Sequence, residues 1–461
     1  MMKILSLYTS LPSSVSLFKD GMIVAACQEE RFTRKKNDEK YPVDSINFCL
    51  KKGNIRAQDL DAVAIASFLS GSYDDTLTRK STWTVNDYLK EQHQKWLPRN
   101  YPEKCKIDPK SSLEMFPEKI DFESYPLNGL REIFNDPDRN KNFHKYRKTL
   151  TASFLEIDQS KVHFIEHHRC HAAYSYYCSP FRGEEVLALT VDGFGDNLNA
   201  TIGIFDKDGN YSRKYQTNDC NIGRIYRYIT LLLGMKPNEH EYKVMGLAPY
   251  GKARYAQKAI DLFKSTLYVD GIEFKWNIKP KDSYFWFKEK LEGTRFDNVA
   301  FALQDWVEEL LTDWVKNAIS EFKIKKIVLS GGVAMNIKAM GKIAQLKEVD
   351  DIFIGGSASD ESMSISAGLC LAKDLEKTSK EYFFDNKNIK IDTLYLGPKA
   401  ELNEEKIALK NLDENLYNIS NDNSPFKIAN LLSKGFILAR CAGEMEFGQR
   451  ALGNRSIIAD P

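Results

Sequence analysis

Four of the seven histidines in the chain fall within the short stretch from His163 to His171. Within it, His167 and His171 are one helical turn apart, and the residues that follow, AAYSYYCS, are compatible with a helix. Side chains at positions i and i+4 project from one helix face, so both imidazoles can bind one metal ion. The alternative is a pair of histidines that make ordinary hydrogen bonds. A metal site would need further ligands from elsewhere in the chain.

Two carboxylates stand where such ligands are expected. Asp192 follows the apolar run ALTV, and Asp360 follows the run DIFI and the small-residue loop GGSAS. Because ligands of open α/β sheets bind at the carboxyl ends of the strands, both side chains are expected to point into one cleft. His167, His171, Asp192 and Asp360 are therefore the predicted metal ligands. This mixed set suits Fe(II), Zn or Mn and does not choose among them.

Two glycine loops each follow an apolar run. One, DGFGD, contains Gly193 and Gly195, and the other, LSGGVAMN, contains Gly331, Gly332 and Asn336. Glycine lets backbone N–H groups approach phosphate oxygens closely, so these residues are predicted to contact a nucleotide. Tight turns without a ligand are the alternative, because neither loop matches a Walker P-loop or a Rossmann glycine pattern.

The pattern of apolar residues predicts an α/β fold with two related halves. The segments KILSLY and SSVSLFKDGMIVAACQEE predict strands around a hairpin turn at Lys19–Gly21, and EVLALTVDGFGD with NATIGIFDKDGNYSRKY repeats this pattern near the middle of the chain. Residues 297–320 carry apolar groups at helical spacing, which predicts a helix. The arrangement is that of the duplicated actin-like ATPase fold, whose two α/β halves close on a nucleotide.

A chain of 461 residues is too long for one hydrophobic core, so several regions are expected. Residues 1–375 are predicted to form an N-terminal domain, and residues 72–150 within it to be a polar, aromatic insertion of helices and loops. Residues 376–395 are charged and irregular, as is typical of a linker, and residues 396–461 begin a second unit.

The composition argues against several classes of partner. The 65 basic residues are balanced by 64 acidic ones, which removes any general electrostatic reason to expect a nucleic acid or an anionic membrane. No apolar stretch is long enough for a transmembrane helix, and the first residues do not have the pattern of a signal peptide. Eight scattered cysteines without a CxxC pair indicate reduced thiols, so a cytoplasmic protein is expected.

Seven motifs follow one another along the chain: QEERFTRKK (28–36), HHRCHAA (167–173), TVDGFGD (190–196), EYKVMGLAPYGK (241–252), LSGGVAMN (329–336), SASDES (357–362) and GEMEFGQRALGNRSIIADP (443–461). In this order they resemble the ATP-dependent O-carbamoyltransferases of the nodulation-protein and tobramycin type. The resemblance covers nearly the whole chain apart from residues 72–150. It implies a Kae1-like N-terminal domain on the actin-like scaffold, followed by the truncated start of a YrdC-like α/β module.

The resemblance also implies a reaction. The C-terminal module converts carbamoyl phosphate and ATP into carbamoyl adenylate, and the N-terminal domain passes the carbamoyl group to a hydroxyl of a small-molecule or glycan acceptor. The four predicted ligands then hold a divalent metal, with Fe(II) preferred, that contacts nucleotide phosphate. Lys36 faces the adenylate, and Arg450 and Arg455 contact the adenylate or carbamoyl phosphate. Without the resemblance, Lys36 is a solvated lysine in a charged run.

Carbamoyl transfer develops negative charge on the carbamoyl oxygen and on the departing phosphate, which a divalent metal and fixed cations can stabilise. The acceptor hydroxyl also needs a general base. The sequence offers four candidates and does not rank them: His168, Glu239, His240 and Glu241. We take His168 and Glu241, with Lys36, as the catalytic candidates, and a purely structural His168 is the alternative. Arg224 and Tyr226 match a family stretch near the acceptor pocket only loosely.

Three features depart from the family pattern. The N-terminal loop reads Ser-Leu-Pro-Ser-Ser at Ser10–Ser14 in place of a His-Asp-Ser type sequence, so the identity of the acceptor cannot be borrowed. Gln449 occupies a position where the family usually has proline. The chain also stops at Pro461, which leaves the C-terminal module too small for a core of its own. We therefore expect that this chain does not make carbamoyl adenylate unaided.

Two other functions fit the same scaffold. An actin-fold sugar kinase would not need the HxxxH pair, and a catalytically degenerate, nucleotide-binding relative would keep the ligand residues without a metal. The acceptor stays open. In residues 72–150, Trp83, Trp96 and Tyr101 either stack on a sugar or, as we favour, pack a small core of the insertion. The oligomeric state is open as well, with a homodimer as the form considered.

Overall fold

The structure is a computed structural model that describes residues 2–19, 22–378, 391, 393–413 and 415–460. Strands near the N-terminus form a first five-stranded sheet: β1 (Lys3–Tyr8), β2 (Ser14–Lys19), β3 (Met22–Gln28), β4 (Ala62–Ala66) and β5 (Val162–Ile165). Their order in space is β3-β2-β1-β4-β5. Strand β1 is antiparallel to β2 and parallel to β4, and β5 is parallel to β4. The predicted turn residues Asp20 and Gly21 lie outside the described residues, but Lys19 pairs with Met22 across that turn.

The middle of the chain supplies seven further strands: β6 (Val186–Gly195), β7 (Leu198–Phe205), β8 (Tyr211–Thr217), β9 (Leu267–Asp270), β10 (Glu273–Trp276), β11 (Lys326–Ser330) and β12 (Asp351–Ile354). Five of them form a second sheet in the order β12-β11-β6-β7-β8, and β9 and β10 form a separate hairpin. The hairpin predicted for NATIGIFDKDGNYSRKY is confirmed, because β7 and β8 pair in antiparallel orientation around a turn at Gly209.

The two five-stranded sheets share the same topology. In each, the first strand is antiparallel to the second and parallel to the fourth, and the fourth and fifth strands run parallel. The antiparallel pairs β1/β2 and β6/β7 correspond as well. A repeated sheet of order 3-2-1-4-5 is the arrangement of the duplicated actin-like fold, so the predicted fold class is confirmed.

The α-helices are α1 (Glu30–Thr33), α2 (Val43–Gly53), α3 (Tyr73–Leu77), α4 (Val85–Glu91), α5 (Leu97–Asn100), α6 (Ser112–Met115), α7 (Gly129–Glu132), α8 (Arg139–Leu155), α9 (His167–Tyr177), α10 (Ile222–Leu232), α11 (Glu241–Leu247), α12 (Ala253–Lys264), α13 (Ser283–Lys290), α14 (Phe296–Phe322), α15 (Ile337–Ala344), α16 (Met363–Thr378), α17 (Leu402–Lys410) and α18 (Pro425–Leu432). The helix expected over residues 297–320 is confirmed as α14. No helix of the described residues has the length and apolar character required to cross a membrane.

Helices α9 and α16 form the central layer of the molecule. One continuous apolar cluster joins both helices to side chains of both sheets, among them Ile4 of β1 and Val328 of β11. The approach is close, because a Cβ at Gly368 of α16 would lie 2.4 Å from the ring of Phe18 in β2. The side chains at the N-terminal end of α9 are therefore held between the two halves of the fold.

The segment 72–150 contains α3 to α7 and most of α8, and none of its residues belongs to a strand. Trp83 is 1% exposed and lies in a small apolar cluster with Tyr88 and Phe116. This cluster also includes Leu231 of α10 and Tyr284 of α13, so it is shared with the second half of the fold. Core packing is thus confirmed for Trp83.

The two other aromatic candidates of this segment lie nearer the surface. Trp96 carries Lys95 and Arg99 over its ring, with the charged groups 5.3 and 5.4 Å from the centroid. Tyr101 is covered in the same way by Lys104 and Lys281. Their predicted alternatives, sugar stacking or packing of the insertion, stay predictions.

The C-terminal unit contains four strands in two pairs: β13 (Tyr395–Lys399), β14 (Leu438–Cys441), β15 (Glu444–Glu446) and β16 (Arg455–Ile458). Strand β13 pairs with β15, and β14 pairs with β16. Of the predicted linker 376–395, the first residues continue α16 as far as Thr378 and the last residue begins β13, while residues 379–390 and 392 lie outside the described residues. The domain boundaries stay predictions.

We expect Trp83→Ala to lower the free energy of unfolding by about 3–5 kcal/mol, because it leaves a cavity among fully packed rings. Trp96→Ala is the matched control, and a loss of about 1 kcal/mol or less is expected for this partly exposed ring. The measurement is urea unfolding followed by far-ultraviolet circular dichroism. Equal losses for the two variants would contradict the assignment of Trp83 to a core.

Candidate metal centre and active site

Helix α9 begins at His167, the first of the two histidines that are predicted to bind a metal. Glu166 caps its N-terminus, where the Glu166 carboxylate accepts a hydrogen bond of 2.6 Å from the backbone N–H of Arg169. From this start, His167 and His171 project from one face of the helix, and both are buried. Their Nε2 atoms lie 3.1 Å apart. The helical spacing predicted from HHRCH is confirmed.

Both predicted carboxylates meet the histidine pair. Asp192 lies on β6, and its Oδ2 is 3.3 Å from Nε2 of His167. Asp360 lies after β12, and its Oδ1 is 3.3 Å from Nε2 of His171 and 3.9 Å from Nε2 of His167. One ligand atom from each of the four residues falls within 4.8 Å of the other three. Four residues spread over nearly two hundred positions of the chain thus converge on one point.

The geometry of this group fits a cation. Metal–nitrogen and metal–oxygen bonds of about 2.0–2.2 Å place neighbouring ligand atoms about 3.0–3.5 Å apart. Hydrogen bonding alone accounts for the group less well, because Asp360 Oδ1 is buried and has no hydrogen-bond partner in the part of the chain that the structure describes. A divalent cation between the histidines and this oxygen would satisfy it. The donor set of two imidazoles and two carboxylates suits Fe(II), Zn or Mn.

Three of the four predicted ligands are oriented by a further group. Ser330 donates its hydroxyl proton to the Ala358 carbonyl, so its oxygen can accept from Nδ1 of His171 at 3.3 Å, which leaves Nε2 of His171 free to bind a metal. The Gly332 N–H donates to Asp192 Oδ1 at 2.7 Å. Tyr8, at the carboxyl end of β1, donates its hydroxyl to Asp360 Oδ2 at 2.7 Å.

The charges of the group are strongly coupled. Burial disfavours a proton on His167, but its hydrogen bond to Asp192 and the charge of Asp360 outweigh burial and raise the pKa of His167 to about 9. Burial disfavours the charge of Asp192 too, but its contacts with His167 hold the pKa of this carboxyl below its usual value. Burial and the two neighbouring imidazoles lower the pKa of His168 well below its ordinary value. The group therefore attracts positive charge.

Asp196 is a site residue that the sequence interpretation gave no role, although it ends the motif DGFGD. Its carboxylate accepts the backbone N–H of His167 at 2.8 Å and the N–H groups of Phe68 and Leu69 at 3.0 and 2.7 Å. It therefore ties the N-terminus of α9 to the loop after β4. The sequence feature that could have identified Asp196 is its place as a second acidic residue in a loop after a strand. Tyr8 could have been identified in a similar way, because it is the last residue of β1.

The glycine loops are explained chiefly by close packing. A Cβ at Gly195 would lie 2.2 Å from ring atoms of His167, so only glycine fits beside this ligand. Gly331 donates its N–H to the Ala358 carbonyl, and the N–H of Gly332 is used by Asp192. A Cβ at Gly193, in contrast, would meet no atom within 4 Å. The predicted nucleotide contacts of the four glycines stay predictions.

Asn336 is fully engaged within the fold. Its amide forms a reciprocal pair with Gln304, with both hydrogen bonds 2.9 Å long, and its Oδ1 caps α15 by accepting the N–H of Ala339. Arg455 donates to the carbonyls of Ala442 and Gly443 in its own unit. The structure thus gives each of these residues a structural role, and their predicted nucleotide contacts stay predictions.

Three of the quoted motifs meet at a second place. Arg450 lies over the ring of Tyr242, with 4.6 Å between the guanidinium carbon and the ring centroid. Asn37, next to Lys36, donates to the carbonyl of Asn238 at 3.0 Å, in the turn before α11. Lys36 itself is exposed, with its ammonium 3.3 Å from Glu30. Of the two predicted adenylate ligands, Arg450 therefore contacts α11 directly, whereas Lys36 is next to a residue that contacts the turn before this helix.

The candidate bases differ in accessibility. His168 is 0% exposed, and its Nδ1 lies 2.8 Å from the Thr190 hydroxyl. Glu241 is partly exposed and accepts the N–H of Asn238, and burial raises its pKa to about 6. Glu239 pairs with Lys236 at 2.7 Å.

The fourth candidate base and the two residues that loosely match a family stretch also have defined contacts. His240 accepts the N–H of Lys236 through its Nδ1. Tyr226 is buried and donates to Gln304, whereas Arg224 lies 4.3 Å over the exposed ring of Phe194 in the loop DGFGD.

A cavity of about 460 Å³ lies on the face of α9 opposite to the two predicted ligand histidines. None of the four predicted metal ligands lines it.

Comparison with known families gives two matches. Residues 3–369 match the family described as carbamoyltransferase N-terminus, and residues 429–461 match the family described as carbamoyltransferase C-terminus. The first match contains all four residues of the metal group, and the second contains Arg450.

Curated relatives and solved structures are similar over most of the chain. Uncharacterized protein sll1178 of Synechocystis sp. is 29% identical over 97% of this chain and 69% of its own length. Nodulation protein NolNO of Sinorhizobium fredii is 25% identical over 96% of this chain and 58% of its own length. The crystal structure of HypF from T. kodakarensis covers 80% of this chain and 48% of its own, with 12% identity and a TM-score of 0.43.

We expect Gly195→Ala to weaken cation binding about 10- to 100-fold, because the added methyl displaces the ring of His167 without removing a ligand. Gly193→Ala is the matched control in the same loop, since its methyl meets open space. Both proteins are titrated with Co(II) and the bound metal is measured after gel filtration. If the two variants bound equally, the position of the His167 ring beside Gly195 would be wrong.

Proposed function

Because the chain belongs to the carbamoyltransferase family, we propose that it takes part in an ATP-dependent O-carbamoyl transfer. In the proposed reaction, carbamoyl phosphate, ATP and water give carbamoyl adenylate with release of phosphate and pyrophosphate. The carbamoyl group of the adenylate then passes to a hydroxyl of a small-molecule or glycan acceptor with release of AMP. The acceptor oxygen forms a bond to the carbamoyl carbon, and the bond from that carbon to the adenylate phosphate oxygen breaks.

One observation carries this proposal. Within the described residues, the buried oxygen Asp360 Oδ1 lacks a hydrogen-bond partner and faces two imidazole nitrogens of α9, one of them at 3.3 Å. A bound divalent cation would act there as a Lewis acid towards a phosphoryl or carbamoyl oxygen. This is the stabilisation that an acyl transfer from a phosphate needs, because both the reacting oxygen and the leaving phosphate gain negative charge.

Three of the residues that would hold the cation are oriented by neighbouring groups outside the ligand set. His171 is oriented by Ser330, Asp192 by the N–H of Gly332, and Asp360 by the hydroxyl of Tyr8. Such supporting hydrogen bonds fix the direction of each ligand lone pair before a cation arrives. All three supports come from the carboxyl ends of strands or the loops after them, on both halves of the fold.

Lys36 and Arg450 are proposed to bind the phosphate of the adenylate. Arg450 has no carboxylate partner among the residues that the structure describes, and it is held by stacking on Tyr242. A guanidinium in that situation is available for an anion. Because Arg450 belongs to the C-terminal unit and Lys36 to the N-terminal domain, this part of the site would be built from both. The chain spans 58% of NolNO and 69% of sll1178, so the complete activity is part of the proposal.

We propose Glu241 as the general base. It is partly exposed and its pKa is about 6, so it is ionised at neutral pH and can accept a proton from the acceptor hydroxyl. His168 is completely buried, and its Nδ1 is occupied by Thr190, so we assign it a structural role beside the metal ligands.

The proposed reaction is tested with the Fe(II)-loaded chain and synthetic carbamoyl adenylate, offered with amino-sugar, lipo-oligosaccharide and polyketide alcohols. We expect release of AMP and an acceptor that gains the mass of one carbamoyl group, and His167→Ala should slow both at least about 100-fold. Arg99→Ala, an exposed change in the 72–150 segment, is the control.

Two results would replace the proposal by another function. Transfer of the γ-phosphate of ATP to a sugar with Mg²⁺ alone, unaffected by His167→Ala, would identify a sugar kinase. A folded protein that binds nucleotide but no Fe(II), Zn or Mn would identify a degenerate relative.

The base assignment predicts a pH profile. Glu241 accepts a proton only when ionised, so kcat/KM for carbamoyl adenylate should rise with pH and level off above about 6, the pKa of this group. Glu241→Gln should remove this rise and lower the plateau about 10²- to 10⁴-fold. Glu239→Gln, which changes a carboxylate paired with Lys236, should keep the profile. An unchanged rise in Glu241→Gln would exclude Glu241 as the base.

A further inference from the structure

The segment Glu446–Arg450, here called the docking segment, seats the C-terminal unit on the N-terminal domain. Phe447 is 1% exposed and joins the apolar cluster between the two sheets. Gly448 donates its N–H to the side chain of Gln28 at 3.0 Å and accepts from Arg31 at 2.6 Å through its carbonyl. The segment is thus fixed through its backbone and one buried ring.

Gly448 is required by this close approach. Its φ of +113° lies in the region that favours glycine, and a Cβ there would lie 2.7 Å from the hydroxyl oxygen of Ser357. Ser357 begins the motif SASDES, which also contains Asp360. The docking segment therefore lies directly against the loop that carries a metal ligand.

Gln449 makes the contact nearest to that ligand. Its amide donates to Glu361 Oε2 at 3.1 Å. Glu361 is 0% exposed, and Ser357 donates its hydroxyl to the other carboxylate oxygen. These two donors are the side-chain partners of a buried carboxylate, and burial of a charge without such partners is strongly unfavourable. Asp360, the metal ligand, is the residue directly before Glu361.

The backbone around Asp360 is also held through Glu361, the next residue in the chain. The Glu361 carbonyl accepts the hydroxyl of Ser14 at 2.7 Å, and residues Asp360–Ser362 form a single turn of 3₁₀ helix before α16. A turn this short has little rigidity of its own. Besides the Tyr8 hydroxyl on Asp360, its position therefore depends on the groups that hold Glu361, among them Ser14, Ser357 and Gln449.

We propose that Gln449 is a positioning residue for the metal ligand Asp360, acting through the carboxylate of Glu361. The inference rests on the proposed cation site. Proline, which the family resemblance leads one to expect at this position, has no side-chain donor, so this coupling is a property of this chain's glutamine. By thermodynamic reciprocity, a cation on Asp360 also strengthens the seating of the docking segment.

The test compares Gln449→Met with Lys52→Ala in the full chain. Gln449→Met keeps the length of the side chain and removes the amide. Lys52→Ala removes an ion pair of 2.8 Å between the N-terminal domain and Glu444, so it breaks a contact of the same C-terminal unit that does not touch Glu361. Co(II) is the probe, because its visible absorption reports the arrangement of its ligands, which a general loss of stability would not alter.

We expect Gln449→Met to weaken Co(II) binding about 10-fold, in the range known for groups that orient metal ligands, and to shift the visible bands. Lys52→Ala should leave both unchanged. In a Glu361→Gln background, where no buried charge needs a donor, the Gln449→Met change should lose most of its effect, which a double-mutant cycle measures. Hydrogen exchange of residues 443–450 should slow when Co(II) is added to the wild-type chain.

The proposal is overturned if Gln449→Met keeps the wild-type affinity and spectrum, or if Lys52→Ala has the same effect as Gln449→Met. Absence of Co(II) binding in the wild-type chain would instead remove the cation site, and with it both this inference and the proposed function. The two failures are therefore distinguishable.

Discussion

Four ligand groups are forced into one buried place, and this constraint organises the rest of the structure. Two carboxylates and two imidazoles supply ligand atoms that lie within 4.8 Å of one another, and one buried carboxylate oxygen has no hydrogen-bond partner among the described residues. Burial makes such a group unstable unless its charge is balanced. A proton on His167 balances part of it, as the raised pKa of His167 indicates. A divalent cation would balance it more completely, because it can contact all four ligand atoms at once.

The duplicated fold explains how distant residues reach this place. Each half contributes a sheet of the same strand order, and α9 and α16 fill the space between them. Asp192 comes from the central strand of the second sheet, while Tyr8 at the end of β1 reaches Asp360 from the first. The site therefore depends on how closely the halves approach. Gly195 and Gly368 set that distance, since a methyl group at either would collide with a ring.

The C-terminal unit is joined to the same centre through two kinds of contact. Its backbone and Phe447 bind the N-terminal domain, and its polar side chains reach residues beside the proposed catalytic groups, with Gln449 at Glu361 and Arg450 at Tyr242. The proposed transfer would benefit from such an arrangement, because the phosphate contacts proposed for Lys36 and Arg450 would form only when both units are in place.

Sequence spacing alone determined the repeated α/β pattern, the histidine pair one turn apart and the two carboxylates that follow apolar strands, because these signals are local: helical periodicity, strand ends and turn residues. It did not determine which glycines avoid a clash, and it predicted nucleotide contacts for Asn336 and Arg455 without the hydrogen bonds that both make within the fold. It also gave no role to Asp196 or Glu361, whose importance lies in contacts with residues far away in the chain. Only the tertiary structure decided these points, since a carboxylate acquires its function from the donors that surround it, and those donors come together only when the two sheets and the C-terminal unit pack around α9.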